Sequence, residues 1–218
     1  MSLFVTFEGP EGGGKSTQIR RIARRLEDLG YATVVTREPG GTAFGEAVRE
    51  ILLGFSHAAM LPETEALLNS ASRCQHVAEV IAPALEAGKI VLCDRYLDST
   101  LAYQGAGRGL DIETLIALQQ FATGGLWPDL TLLFDVSYDV GQARRATSGE
   151  PLNRFDTDSQ AFHERVRSYF LMAASREPKR WRVLDASATA DQVEQDALLV
   201  LLQRLNEGPG AVKKDNRS

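Results

Sequence analysis

The chain alternates between short apolar runs and longer stretches in which apolar residues recur every three or four positions. Short runs of Val, Ile, Leu, Phe and Thr that carry no polar face are typical of strands buried on both sides of a parallel sheet. The predicted strands are residues 3–7, 32–36, 89–93, 130–134 and 181–184.

The stretches between the predicted strands have helical periodicity. Residues 16–29 show this most clearly, because an apolar stripe runs along them and Gly30 follows in the usual C-terminal capping place. The other predicted helices with both ends defined are residues 44–54, 62–88, 98–104, 111–123 and 190–205. Two more are predicted by one end only: one begins near Tyr138, and the next ends at about residue 176. Strands that alternate with helices predict an α/β protein whose parallel sheet is covered on both faces.

Two polar regions interrupt this order. Residues 147–157 are rich in turn-forming residues and read as an exposed, flexible loop. Residues 207–218 have no apolar period, so we expect a disordered tail. We therefore expect residues 1–206 to form a single domain.

Composition and charge narrow the classes of function. The chain has 218 residues, of which 44% are hydrophobic, and its net charge is -5. An acidic chain has no general attraction for nucleic acids or membrane surfaces, so we expect neither as a partner. The two cysteines, Cys74 and Cys93, are too few for a disulfide framework. The sequence shows no secretion leader and no long apolar span, so we expect a cytoplasmic protein.

A glycine-rich stretch follows the first predicted strand. Residues 9–16 read "GPEGGGKS", which matches the phosphate-binding loop pattern G-x-x-x-x-G-K-S in full. In such a loop the backbone N–H groups surround phosphate oxygens, and the following helix directs its positive end at the same anion. We expect Lys15 to reach the β- and γ-phosphates and the Ser16 hydroxyl to bind Mg²⁺.

Three arginines lie where they could form a second anion site. Arg37 follows the second predicted strand, Arg95 follows the third, and Arg73 lies in the helix between those strands. The planar guanidinium group pairs with two phosphate oxygens at once. Each arginine alone could be a surface salt bridge, but three beside a phosphate-binding loop favour a functional pocket.

Asp94 stands directly after the apolar run "IVLC". An acid at the carboxyl end of that strand could bind Mg²⁺ through water or position the attacking oxygen. It could also cap a helix or form a structural pair with Arg95.

Three motifs together carry a family resemblance. "FEGPEGGGKST" (7–17), "TREPGGT" (36–42) and "DRYLDSTLAYQG" (94–105) resemble those of bacterial thymidylate kinases, which are P-loop nucleoside monophosphate kinases. The resemblance covers residues 3–206. It implies a P-loop NTPase fold, with a five-stranded parallel sheet, helices on both faces and a small lid over about residues 143–157. It also implies a homodimer that uses ATP and Mg²⁺ to convert dTMP into dTDP, a step in dTTP synthesis.

The resemblance also implies roles for individual residues. ATP would contact Gly9, Pro10, Glu11, Gly12, Gly13, Gly14, Lys15, Ser16 and Thr17, and Mg²⁺ would contact Ser16 and Asp94. Arg37 and Arg95 would bind the acceptor phosphate, Arg73 and Gln104 the thymine, and Ser99 and Tyr103 would line the thymidine pocket. Glu8 would lie near the reaction centre without an assigned role.

The lid and the base pocket depart from the family pattern. Arg144, Arg145 and Arg154 are the basic lid candidates, and Arg144 is expected to join Lys15, Asp94 and Arg95 in catalysis. Thr147 and Ser148 stand where relatives can carry arginine. Asn69 stands where many relatives have a phenylalanine that stacks on thymine, which leaves a weaker expected grip on the base.

Two alternative functions stay open from the sequence. One is a nucleoside or nucleotide kinase for a different base, against which Arg73, Gln104 and Tyr103 argue. The other is an ATP-dependent switch protein without a small-molecule acceptor, which would not need an arginine-rich second pocket. A GTPase is excluded because the chain has no Asn-Lys-x-Asp motif.

Overall fold

The computed structural model describes residues 2–54, 59–149 and 153–207. In these residues five parallel strands form one sheet in the order β2-β3-β1-β4-β5. The strands are β1 Leu3–Glu8, β2 Thr33–Arg37, β3 Ile90–Asp94, β4 Leu130–Asp135 and β5 Trp181–Asp185. The predicted five-stranded parallel sheet is confirmed, and no strand differs from its predicted range by more than one residue at either end.

Helices connect the strands. They are α1 Lys15–Asp28, α2 Ala43–Leu53, α3 Pro62–His76, α4 Ala82–Glu86, α5 Leu97–Thr100, α6 Ile112–Thr123, α7 Tyr138–Thr147, α8 Gln160–Arg176 and α9 Ala190–Glu207. The predicted helix 62–88 consists of α3, a π-helical turn over Val77–Ile81, and α4, with α-region backbone at the junctions. No helix in the described part of the chain is long and apolar enough to cross a membrane.

Helices cover both faces of the sheet, as predicted. Successive strand residues point to opposite faces, so Val5 and Phe7 pack in one core cluster with α1 and α9. Phe4 lies in a second cluster, together with residues of α3 and of the segment that follows β3. A third cluster forms around α8 and includes Leu133 of β4. By packing the helices against the sheet, these clusters hold in place the edge at which all five strands end.

Every strand of the sheet ends in a charged residue. These residues are Glu8, Arg37, Asp94, Asp135 and Asp185. Because all strands are parallel, their carboxyl ends lie at one edge, which is where α/β sheets bind ligands. The register pairs Arg37 of β2 with Asp94 of β3, so these two predicted site residues are direct neighbours.

The helix predicted over residues 98–104 is longer and wider than expected. It begins as α5 and continues as a π-helix over Leu101–Gly107. A Cβ on Gly107 would lie 2.5 Å from the Phe162 ring, so this glycine allows the π-helix to approach α8 closely. The wide turn carries Tyr103 and Gln104, and both side chains are buried.

The prediction of an exposed loop over residues 147–157 is wrong for residues 154–157. Arg154–Thr157 forms a 3₁₀ turn, and the Arg154 side chain is buried. The Asn153 side chain accepts a hydrogen bond from Phe155 N, and the Asp156 carboxylate accepts one from Asn153 N. This reciprocal capping orders a segment whose composition alone suggested disorder. Residues 150–152 and the predicted tail from residue 208 onward lie outside the described residues, whereas Glu207 belongs to α9.

Candidate active site

The phosphate-binding loop connects β1 to α1 and depends on its glycines. Gly9, Gly12 and Gly14 have φ values of 136°, 72° and 80°, a region that side chains disfavour. A Cβ on Gly9 would lie 2.5 Å from the carbonyl oxygen of Phe134, and one on Gly12 would overlap the backbone of Gly141. The loop is therefore held by both its conformation and its close packing against β4 and α7.

Lys15 lies buried inside this loop. Its Nζ donates hydrogen bonds to the carbonyl oxygens of Gly9 at 3.0 Å and Pro10 at 2.7 Å. Burial, followed by the nearby charge of Arg95, lowers the pKa of Lys15 to about 8. Phosphate oxygens would replace neutral carbonyls as its partners, and they would stabilise the charged form.

The two predicted Mg²⁺ ligands are in contact. Ser16 Oγ donates a hydrogen bond of 2.6 Å to Asp94 Oδ2. A hydroxyl and a carboxylate are the hard oxygen donors that Mg²⁺ prefers, and this ion usually completes its shell with phosphates and water. Within the described residues no cluster of three or more His, Cys, Asp or Glu side chains could hold a metal.

Arg95 reaches from the end of β3 back to the phosphate-binding loop. Its φ of 69° places a non-glycine residue in the left-handed region. A backbone hydrogen bond of 3.0 Å from Arg95 N to Phe7 O holds this strained conformation. Its Nη1 donates to Gly9 O and to Ser99 Oγ, both at 3.2 Å. The guanidinium group lies 5.0 Å from the centre of the Tyr103 ring.

Glu11 joins the loop to the predicted acceptor residues. Its Oε1 accepts hydrogen bonds from Arg95 Nη2 at 2.7 Å and from Tyr103 Oη at 3.2 Å. Burial alone would raise the pKa of this carboxyl, but the charges of Arg95 and Lys15 outweigh it and lower the pKa to about 2. Glu11 is therefore ionised at neutral pH, and it holds the arginine beside the phosphate site.

Glu8 is a fully buried acid at the end of β1. It accepts hydrogen bonds from Tyr96 N at 2.8 Å and from Ser99 Oγ at 2.6 Å. Burial and then the negative charge of Asp98 raise its pKa to about 7. Its contacts show that it orients the segment after β3, which carries Ser99.

Arg37 and Arg73 have different surroundings. Arg37 is half exposed and pairs with Glu46 at 2.8 Å. Arg73 is buried, donates to Thr100 Oγ1 at 3.1 Å and to Gln119 Oε1, and lies over the Tyr96 ring. An exposed pair is easily exchanged for a phosphate, whereas Arg73 is fixed in one orientation.

Sequence reasoning missed Glu38. This buried acid accepts hydrogen bonds from Arg73 Nε at 2.6 Å and from His76 Nδ1 at 2.9 Å. Its carboxylate thus orients the arginine that is predicted to contact the base. The available signal was its position beside Arg37 in the motif "TREPGGT".

Sequence reasoning also missed Glu65, in the first turn of α3. Its carboxylate accepts a hydrogen bond of 3.0 Å from Gln104 Nε2. The backbone carbonyl of Glu65 accepts one of 2.8 Å from Asn69 Nδ2. The amide of Asn69 is therefore already paired with its own helix, while Gln104 is paired with a buried acid.

The three candidate lid arginines lie in three different places. Arg144 donates to the carbonyl oxygens of Ala186 at 2.6 Å and Ser187 at 3.3 Å. Arg145 pairs with Asp156 through two hydrogen bonds of 3.1 and 2.9 Å. Arg154 pairs with Glu65 and donates to the backbone, and its Nη2 has no hydrogen-bond partner among the described residues.

A phosphate-binding loop that shares an ion pair with an arginine at the carboxyl edge of a parallel sheet is typical of a P-loop nucleotide phosphotransferase. The family model of thymidylate kinase matches residues 7–197. The chain belongs to the thymidylate kinase family.

Individual relatives agree with this assignment. The chain is 53% identical to the thymidylate kinase of Thermomicrobium roseum, over 95% of this chain and 98% of that protein. It is 52% identical to the enzyme of that name from Pseudomonas putida, over 89% and 92% of the two chains. A crystal structure of thymidylate kinase from Ehrlichia chaffeensis matches with a TM-score of 0.75 and 34% identity, over 92% of this chain and 98% of that one.

The lowered pKa of Lys15 predicts pH-dependent ATP binding. Below about pH 8 the side chain is charged and ready to bind; above it, binding must first protonate the amine. The affinity for Mg·ATP should therefore be flat near neutral pH and fall towards tenfold per unit above pH 8, with proton uptake. Calorimetry in two buffers of different ionisation heat measures both effects.

Lys15→Arg is the matched control for this prediction, because its guanidinium stays charged over the whole pH range. The fall in affinity should be absent in that variant. An equal fall in both proteins would contradict the assignment to Lys15.

Proposed function

We propose that this protein transfers the γ-phosphoryl group of ATP to dTMP, which gives dTDP and ADP in a step of dTTP synthesis. The contact of 2.7 Å between Glu11 of the phosphate-binding loop and Arg95 of the second pocket carries this proposal. This contact supports a donor site and an acceptor site that lie side by side, as in-line transfer between two nucleotides requires.

On the donor side, the backbone N–H groups of residues 11–17 surround the ATP phosphates and Lys15 binds the β- and γ-phosphates. Ser16 and Asp94 would hold Mg²⁺, and the contact between them supports this pairing. The ion supplies positive charge that neutralises the phosphate oxygens when it is bound. The protein itself orients the donor and excludes water.

On the acceptor side, Arg37 and Arg95 bind the phosphate of dTMP. Arg37 exchanges its exposed partner Glu46 for that phosphate, which costs little because exposed ion pairs are weak. Ser99 and Tyr103 line the sugar pocket beside Arg95.

The thymine meets Arg73 and Gln104. Both side chains are 2% exposed and already fixed by protein partners, so recognition needs little reorganisation. Asn69 adds no aromatic stacking, and its Nδ2 is paired with the carbonyl of Glu65. The contact with the face of the base is therefore weaker than the stacking that a phenylalanine would provide.

Arg144 or Arg154 supplies the last positive charge in the transition state. Among the described residues Arg144 donates its hydrogen bonds to backbone carbonyl groups, and Arg154 keeps one nitrogen without a partner. Either could accept phosphate oxygens when the lid closes. Kinetics of Arg144→Ala and Arg154→Ala identify the residue, because only its loss lowers kcat more than it raises KM.

We also propose a cytoplasmic homodimer. Large apolar side chains are exposed on three neighbouring helices: Phe44 on α2, Leu67 on α3 and Phe121, 86% exposed, on α6. Apolar surface of this kind favours association.

Sedimentation should show a dimer at micromolar concentration, and Phe121→Asp should weaken it, whereas Leu199→Asp on α9 should not. A wild-type monomer at all concentrations would overturn the dimer, and fractionation of cells tests the compartment.

The function is tested with a panel of nucleoside monophosphates at saturating Mg·ATP. A coupled assay of ADP release should give the highest kcat/KM for dTMP, with dCMP and the purine monophosphates lower by at least about a hundredfold. Equal turnover of another monophosphate would favour a different kinase. ADP release that ignores every acceptor would favour an ATP-dependent switch.

A further inference from the structure

Glu65 connects the base pocket to the lid. Its side chain is 1% exposed and lies in the first turn of α3. Oε2 accepts hydrogen bonds from Gln104 Nε2 at 3.0 Å and from Arg108 Nε at 3.4 Å. Oε1 accepts one from Arg154 Nη1. A single buried carboxylate thus joins α3, the π-helix after β3 and the 3₁₀ turn of the lid.

The carboxylate determines which end of the Gln104 amide faces it. An ionised carboxylate only accepts hydrogen bonds, and the two arginines that it also contacts only donate them. The NH₂ group of Gln104 must therefore point to Glu65. Gln104 Oε1 accepts no hydrogen bond from the described residues. It is also not one of the fully buried side-chain atoms that lack a partner, so it keeps some access to the pocket. The end of the amide that remains for a ligand is an acceptor.

A fixed acceptor distinguishes between pyrimidines. Thymine carries a donor at N3, and cytosine carries an acceptor there. Arg73, eight residues after Glu65 on α3, presents only donors, which suit the O4 carbonyl of thymine and oppose the amino group of cytosine. A buried polar group left unpaired by the wrong base carries a large penalty.

We infer that Glu65 is a positioning residue for base recognition, which holds the Gln104 amide with its carbonyl towards the acceptor base and ties that amide to Arg154 of the lid. This inference rests on the proposed function. Of the partners of the Glu65 carboxylate, Gln104 is the one proposed to contact the base, so the effect of Glu65 on base recognition passes through Gln104.

A double-mutant cycle between Glu65 and Gln104 tests this inference. Glu65→Gln keeps the shape of the side chain but can turn a donor towards Gln104, so that the Gln104 amide can reverse. We expect KM for dTMP to rise about tenfold, the scale of one neutral hydrogen bond, and the preference for dTMP over dCMP to narrow by a similar factor. In the Gln104→Ala background the same change should leave the preference for dTMP over dCMP unaltered, because any effect through Arg154 is common to both nucleotides and cancels in that ratio.

Glu113→Gln is the matched control. Glu113 is also an acid in the first turn of a helix, α6, but its side chain is exposed. It should leave KM and preference unchanged. Wild-type turnover of dTMP is measured first, which separates a failure of the proposed function from a failure of this inference.

Two results would overturn the positioning role. One is an equal effect of Glu65→Gln on the preference for dTMP over dCMP with and without Gln104, which would show a general structural role. The other is an unchanged KM and base preference in Gln104→Ala, which would remove the group through which Glu65 acts. The second result decides the question even if Glu65→Gln fails to fold.

Discussion

The ion pair between Glu11 and Arg95 is the contact on which the site depends. It joins the phosphate-binding loop to the end of β3 at 2.7 Å, and the same carboxylate oxygen accepts from Tyr103. Neighbouring charges keep Glu11 ionised despite burial, by lowering its pKa to about 2. The pair therefore sets the distance between the phosphate-binding loop and the end of β3, and Arg95, which makes it, has a left-handed backbone.

The sheet and the glycines make this pair possible. Parallel strands bring Glu8, Arg37 and Asp94 to one edge, and the loop can pass over that edge only because glycines leave room beside Phe134 and Gly141. Buried acids then orient the side chains that we propose face the substrates: Glu8 holds Ser99, Glu38 holds Arg73 and Glu65 holds Gln104. Preorganisation of this kind is how phosphoryl-transfer enzymes act without a nucleophilic side chain.

The sequence was sufficient for the sheet and for the phosphate-binding loop, because both are local patterns: apolar runs for strands and glycine spacing for the loop. It was insufficient for Glu38 and Glu65, whose partners lie 35 and 39 residues away or farther. Hydrophobic periodicity carries no information on such pairs. The ordered turn at Arg154–Thr157 was missed because its stability comes from side-chain capping and from a distant carboxylate. The roles of the individual site residues stay predictions.

Steady-state kinetics of Arg95→Ala, together with ATP binding, test the central claim most directly. If Arg95 holds the acceptor beside the donor, kcat/KM for dTMP should fall by at least about a hundredfold, the scale of a lost charge-assisted contact. The dissociation constant for Mg·ATP should stay within about threefold of wild type, and exposed Arg20→Ala should change neither. Wild-type kinetics with dTMP in the Arg95 variant would contradict the account.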